Sequence, residues 1–198
     1  MKNKNVFRIV LFLLAVILAG AFVLYTDLGQ KFLPDQLAVS EPPAEEETTQ
    51  EEASAQAEAP LAPDFTVYDA DGKEVHLLDY LGKPIVLNFW ASWCGPCRSE
   101  MADFQEKYET LGEEVQFLMV NCTDGSRETV ETAAAFIADQ GYTFPVFYDT
   151  QSDAAIVYGV YSLPTTYFID AQGYAVARAP GAIDAETLQR GIDMILKG

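Results

Sequence analysis

Apolar and polar positions divide the chain into three stretches of different character. The first is one apolar run, Ile9 to Leu24, behind Lys2, Lys4 and Arg8. As a helix its 16 residues span about 24 Å. Counted from Val6 to Tyr25, with Arg8 snorkelling, the run reaches the ~30 Å of a bilayer core. The second stretch, up to Pro63, holds few large apolar residues. From Phe65 onward, apolar residues recur with the periods of strands and helices.

In that third stretch, Phe65–Asp69 and Glu74–Leu77 flank Asp71-Gly72, which predicts a β-hairpin. Ile85 to Trp90 is nearly continuous in apolar residues, as a strand buried on both faces should be. Cys97, Met101, Phe104, Tyr108 and Leu111 then share one face of a helix that stops at Gly112. Val115–Cys122 predicts a second buried strand. Ser126–Gln140 predicts a helix with Val130, Ala133, Ala134 and Ile137 on one face, ending at Gly141. A strand near Phe144–Tyr148, a short helix near Asp153–Tyr158 and a strand Thr165–Asp170 follow. Gln172-Gly173 turns the chain into a strand Tyr174–Ala179, and a last helix starts at the cap Asp184 and buries Leu188, Ile192 and Ile195. The order predicts an α/β fold, a mixed sheet with helices on both faces. There is no internal repeat.

The flanks of the apolar run set its topology. Basic residues precede it and only Lys31 soon follows, which puts the N-terminus in the cytoplasm. A transmembrane anchor is the reading taken; a signal peptide cleaved at Ala19-Gly20-Ala21 is the alternative. Both place the remainder outside the cytoplasm. From Pro34 to Pro63 the chain has eight acidic residues, five prolines and no basic residue. Such a segment buries too little to fold and predicts a disordered spacer with a reach of about 30 Å. The expected domains are therefore 1–25, stub and anchor; 26–62, linker; and 63–198, folded domain. Without Lys2, Lys4 and Arg8, 9 of the 12 basic residues face 30 acidic ones, net −21. This excludes nucleic acid and anionic lipid surfaces as partners.

Candidate chemistry sits where the central strand meets the first helix, at Trp93-Cys94-Gly95-Pro96-Cys97. Cysteines three apart bring their sulfurs onto one helical turn, within bridging distance. Cys94 falls at the helix N-terminus, whose free N–H groups and dipole favour a thiolate. Cys97, one turn deeper, is the expected buried partner. Pro96 is tolerated there because its missing N–H has no partner in a first turn. Cys122 ends a buried strand and is expected as a buried bystander, with a secondary role as an oxidation liability. His76, the only histidine, is expected on an edge strand. With only Cys122 and His76 left as further ligands, no metal site is expected.

The same residues carry a resemblance. The W-C-G-P-C motif after a strand looks like the thioredoxin active site. Together with Ala62-Pro63-Asp64-Phe65, Leu163-Pro164-Thr165-Thr166 and the anchor, it resembles the membrane-tethered extracytoplasmic thiol-disulfide oxidoreductases of the TlpA/ResA/CcmG-like family. The resemblance covers roughly Pro63 to Lys197. It implies a thioredoxin fold with an N-terminal hairpin extension and a cis-proline at Pro164 facing the cysteine pair. It also implies that Leu163 offers its backbone to an extended substrate, beside a platform of Trp93, Gly95 and Pro96. Asn88 departs from the buried aspartate of cytoplasmic thioredoxin. ResA-type relatives carry an acidic residue just after the next strand, and Asp124 is the nearest match, either as a helix cap or as a proton-handling group.

The function implied is reduction of protein disulfides, apocytochrome c thiols among them, by a Cys94–Cys97 redox pair with no other cofactor. Electrons would come from a membrane donor of the CcdA/DsbD type, and the protein would act as a monomer. Two alternatives differ in class. The segment around Asp64-Phe65 and Asp71-Gly72-Lys73 also resembles the start of a peroxiredoxin, but those enzymes need a threonine and a proline before the cysteine, where this chain has Ser92 and Trp93. A non-enzymatic tethered or zinc-binding module would use the cysteines as ligands.

Overall fold

The computed structural model describes Ala38–Val39 and residues 59–197. In chain order its strands are β1 (Ala38–Val39), β2 (Thr66–Tyr68), β3 (Glu74–His76), β4 (Ile85–Trp90), β5 (Gln116–Asn121), β6 (Val146–Tyr148), β7 (Thr165–Ile169) and β8 (Ala175–Pro180). Its helices are α1 (Gly95–Leu111), α2 (Val130–Gln140), α3 (Asp153–Val157) and α4 (Ala185–Ile195). The anchor at 1–25 and most of the linker lie outside the described residues. Among the described residues no helix is long and apolar enough to cross a membrane.

The strands form one sheet in the order β1-β8-β7-β4-β5-β6-β2-β3. β4, β5 and β6 run parallel; the other pairings are antiparallel. All six residues of β4 are buried, which explains its unbroken apolar run. Val86 and Trp90 join a core cluster with residues of α1, α2 and α4 on one face. Ile85, Leu87 and Phe89 join a second cluster with Phe65, Leu77, Ala154 and Tyr158 on the other. The expected mixed sheet, helices on both faces and hairpin extension are all present.

Two expectations need correction. The linker does not stay free of the domain up to residue 62. Ala38–Val39 pairs with β8, the Ala175 N–H donates to the Pro60 carbonyl (2.9 Å), and the Ala62 N–H donates to the Gly173 carbonyl (2.8 Å). These are backbone bonds that satisfy a sheet edge, so apolar content does not reveal them. Helix α2 starts at Val130, capped by Thr129, not at Ser126. The preceding residues form a turn around Asp124, whose Oδ1 accepts from the N–H groups of Ser126, Arg127 and Glu128 (2.7–3.0 Å). Helix α1 stops at Gly112, as expected, and Gly112 has φ −62°. It is glycine because an added Cβ would lie 2.6 Å from the Tyr108 carbonyl oxygen.

Helix α4 presses on β7 through Gly191, where an added Cβ would sit 2.3 Å from the buried Phe168 ring. Gly191→Ala is therefore expected to cost about 1–3 kcal/mol by overpacking, despite its better helix propensity. Urea denaturation should show a lower midpoint; an unchanged midpoint would mean that this contact relaxes freely.

Candidate active site

Strand β4 delivers the chain to a tight turn in which the Cys94 N–H donates to the Ala91 carbonyl (3.1 Å). Cys94 is the N-cap of α1, and the Cys97 N–H donates to its Sγ (3.2 Å). The two cysteines form a disulfide, with Cα atoms 5.3 Å apart. Cys97 is fully buried and does not line the neighbouring cleft of about 530 Å³, whereas Cys94, 4% exposed, does. Only one cysteine of the pair therefore lines the cleft.

The cleft gathers most of the residues singled out from the sequence. Trp93, Gly95, Pro96 and Leu163 line it with Cys94. The Leu163–Pro164 peptide bond is cis, as the resemblance implied. Pro164 is buried, and its carbonyl accepts the Gly181 N–H (2.9 Å). Trp93 is 41% exposed, while Trp90 is wholly buried in the core. Cys122 also reaches the cleft. Burial, with Asp149 and Glu128 nearby, pushes its thiol up to about 12, so at neutral pH it is an un-ionised, poor nucleophile.

Asp124 does not fit proton handling. It is exposed and does not line the cleft. The backbone N–H groups of Glu128 and Ser126 hold its carboxyl below the usual carboxylate range. It caps a turn, and α2 has its own cap in Thr129. His76 lies on β3, with three strands between it and β4, near Asp64 and Glu74 (3.6 Å each). Among the described residues no group of three or more His, Cys, Asp or Glu side chains is arranged to hold a metal ion.

Of four buried carboxylates among the described residues, Glu100, Glu128, Asp149 and Asp170, none was singled out from the sequence, and the first two bear on the site. Glu100, 2% exposed, lies one turn after Cys97 on the buried face of α1. Its Oε1 accepts from Asn88 Nδ2 (3.0 Å) and its Oε2 from the Ile183 N–H (2.9 Å). Burial pushes its carboxyl up to about 7, against the lowering effect of those two bonds. Asn88 thus stands across from an acid instead of supplying one. The sequence signal was an amide inside an apolar strand together with a glutamate at an apolar helix position. Glu128, fully buried, accepts from Ser92 N–H (2.9 Å), Ser92 Oγ (2.7 Å) and Asn121 Nδ2 (2.7 Å). It ties the loop after β5 to the residues just before Cys94.

A sequence profile of the AhpC/TSA family matches residues 60–177. The thiol-disulfide oxidoreductase ResA of Geobacillus thermodenitrificans is 36% identical over 145 residues, covering 73% of this chain and 81% of the relative. The ResA protein of Bacillus anthracis is 34% identical over 193 residues, covering 95% and 94%. Among solved structures, StoA from Bacillus subtilis superposes with a TM-score of 0.58 at 25% identity, covering 67% of this chain and 98% of StoA.

Proposed function

The chain belongs to the AhpC/TSA family and is a thiol-disulfide oxidoreductase like its ResA relatives, and from that premise we propose that it is a membrane-tethered reductase of protein disulfides outside the cytoplasm. The observation that carries the direction of attack is the asymmetry of the pair: Cys94 opens on the cleft and Cys97 is sealed beneath it. In the reduced protein the Cys94 thiolate attacks one sulfur of a substrate disulfide. The other substrate sulfur leaves as a thiolate and takes up a proton. Cys97 then gives up its proton and attacks Cys94 Sγ, and the second substrate sulfur departs. Two electrons have passed to the substrate, and the Cys94–Cys97 disulfide remains.

Glu100, one turn from Cys97 and with a carboxyl that titrates near neutrality, is the group best placed to take the Cys97 proton. Leu163 would offer its backbone to an extended substrate as an added strand, with Trp93, Gly95 and Pro96 as the facing platform. The disulfide is itself the redox group, and the reaction calls for no further cofactor. The apolar run Ile9–Leu24 would hold the domain at the outer face of the membrane, and the acidic spacer would give it reach. A reductase there must draw electrons from inside, which suits a conduit of the CcdA/DsbD type, with apocytochrome c thiols as one destination.

The pre-reduced full-length protein should stoichiometrically reduce the disulfides of a model protein, while hydrogen peroxide should oxidise it no faster than it oxidises free cysteine. Fast peroxide reaction with no disulfide reduction would make it a peroxidase. The mature protein should fractionate with membranes and keep the run Ile9–Leu24; a soluble form starting near Phe22 would refute the tether.

A further inference from the structure

The chain carries a formal charge of −18, yet a cation stands at the mouth of the cleft. The Arg127 guanidinium lies 3.6 Å from the centre of the Trp93 ring, and both residues line the cleft with Cys94. Stacking occupies only the face of the guanidinium. A guanidinium's N–H groups lie in its plane, so a face held against a ring leaves them for a carboxylate, which they can grip with two bonds.

The loop that presents this side chain is fixed on both sides. Asp124 Oδ1 accepts the Arg127 N–H (2.7 Å) together with those of Ser126 and Glu128. The Gly125 N–H donates to the Glu128 carbonyl (2.9 Å). The next residue, Glu128, is bound through its carboxylate to Ser92, immediately before Trp93. Asp124 is the acidic neighbour of Arg127, but its Oδ1 is already engaged by three backbone N–H groups. A cation held in this way loses little freedom when a ligand binds, so more of the interaction appears as selectivity. On the same cleft, Val160 and Leu163 supply an apolar wall.

We propose that Arg127 is a specificity-determining residue: it holds an Asp or Glu side chain of an extended partner segment next to the cysteine that Cys94 attacks, while an apolar residue on the other side of that cysteine rests on Leu163 and Val160. This rests on the reading that the chain reduces protein disulfides. The partner is an extended, acidic, disulfide-bonded protein segment. A net negative enzyme would repel such a segment at long range, and the Arg127–Trp93 pair supplies the local attraction that offsets this.

The test uses the pre-reduced full-length protein in single turnover. Its substrates are disulfide-bonded peptides that differ only in having Glu, Gln or Lys beside the reacting cysteine. Each rate is divided by the same peptide's rate with dithiothreitol, which removes differences in intrinsic reactivity. The Glu peptide should react about five- to tenfold faster than the Gln peptide, and the Lys peptide slowest. The preference should shrink as salt is raised. Arg127→Gln should abolish it, and Arg127→Glu should reverse it toward Lys. Equal rates for Glu and Gln peptides with the unmodified protein, or a preference that survives Arg127→Gln, would overturn the assignment. Failure to reduce any peptide would overturn the reductase reading, and this inference with it.

Discussion

Cys97→Ala is expected to stop the exchange halfway, leaving the substrate covalently bound to Cys94. With its neighbour gone, the mixed disulfide has no internal thiol to resolve it. Intramolecular attack by a well-placed group can correspond to an effective concentration of about 10⁵ M or more, far above any free thiol in solution. Turnover should therefore fall to the background rate while complexes accumulate on non-reducing gels. Cys94→Ala should form no such complexes, because Cys97 is fully buried and does not line the cleft that Cys94 lines. Cys122 should not substitute for either, since burial keeps its thiol protonated. Complexes trapped at Cys97 in the Cys94→Ala variant would reverse the assigned roles.

Glu100→Gln is the second large effect and has two separable readouts. The folded carboxyl is pushed up to about 7 from an ordinary value of 4.5. Between those limits the folded protein keeps a proton that the unfolded chain has released. The contribution to stability is complete below about pH 4.5, declines as pH rises, and is lost above about 7, a span of about 3 kcal/mol. Glutamine cannot ionise, so the variant should lose this slope and unfold at higher urea concentration than the parent at pH 8. Asn88 Oδ1, which has no partner, can turn to accept from the new amide. Asp124 and Asp184 act in the opposite direction and at lower pH, because backbone N–H groups hold both below the usual carboxylate range. Catalysis should move the other way: without a proton acceptor, resolution by Cys97 should slow by about 10²-fold, and the limb of the rate profile near pH 7 should vanish. A variant with parental stability and parental pH profile would remove Glu100 from the mechanism.

The sequence made the order of elements along the chain and the cysteine pair accessible because both rest on local signals. The apolar run of β4, the helical spacing from Cys97 to Leu111 and the strand–helix junction at Cys94 each lie within a few turns of chain. What escaped depends on contacts distant in sequence. Glu100 meets Asn88 and Ile183, Glu128 meets Ser92, and Arg127 meets Trp93 only once the sheet has formed. The acidic residue sought after β5 shows the same limit. Asp124 and Glu128 both follow that strand, and composition does not say which turns inward. Asp124 binds its own loop at the surface, and the buried one is Glu128. The pairing of residues 60–62 with the sheet was hidden for another reason: backbone bonds leave no trace in side-chain pattern.

The central claim is that the pair donates electrons to substrate disulfides, and its reduction potential tests this most directly. The full-length protein would be equilibrated with glutathione buffers of known poise and the Cys94–Cys97 disulfide quantified by thiol labelling. The account predicts a potential below about −200 mV, nearer the roughly −270 mV of thioredoxin than the roughly −120 mV of the oxidant DsbA. A value near −120 mV would contradict it, because such a pair would take electrons from substrate thiols instead of supplying them.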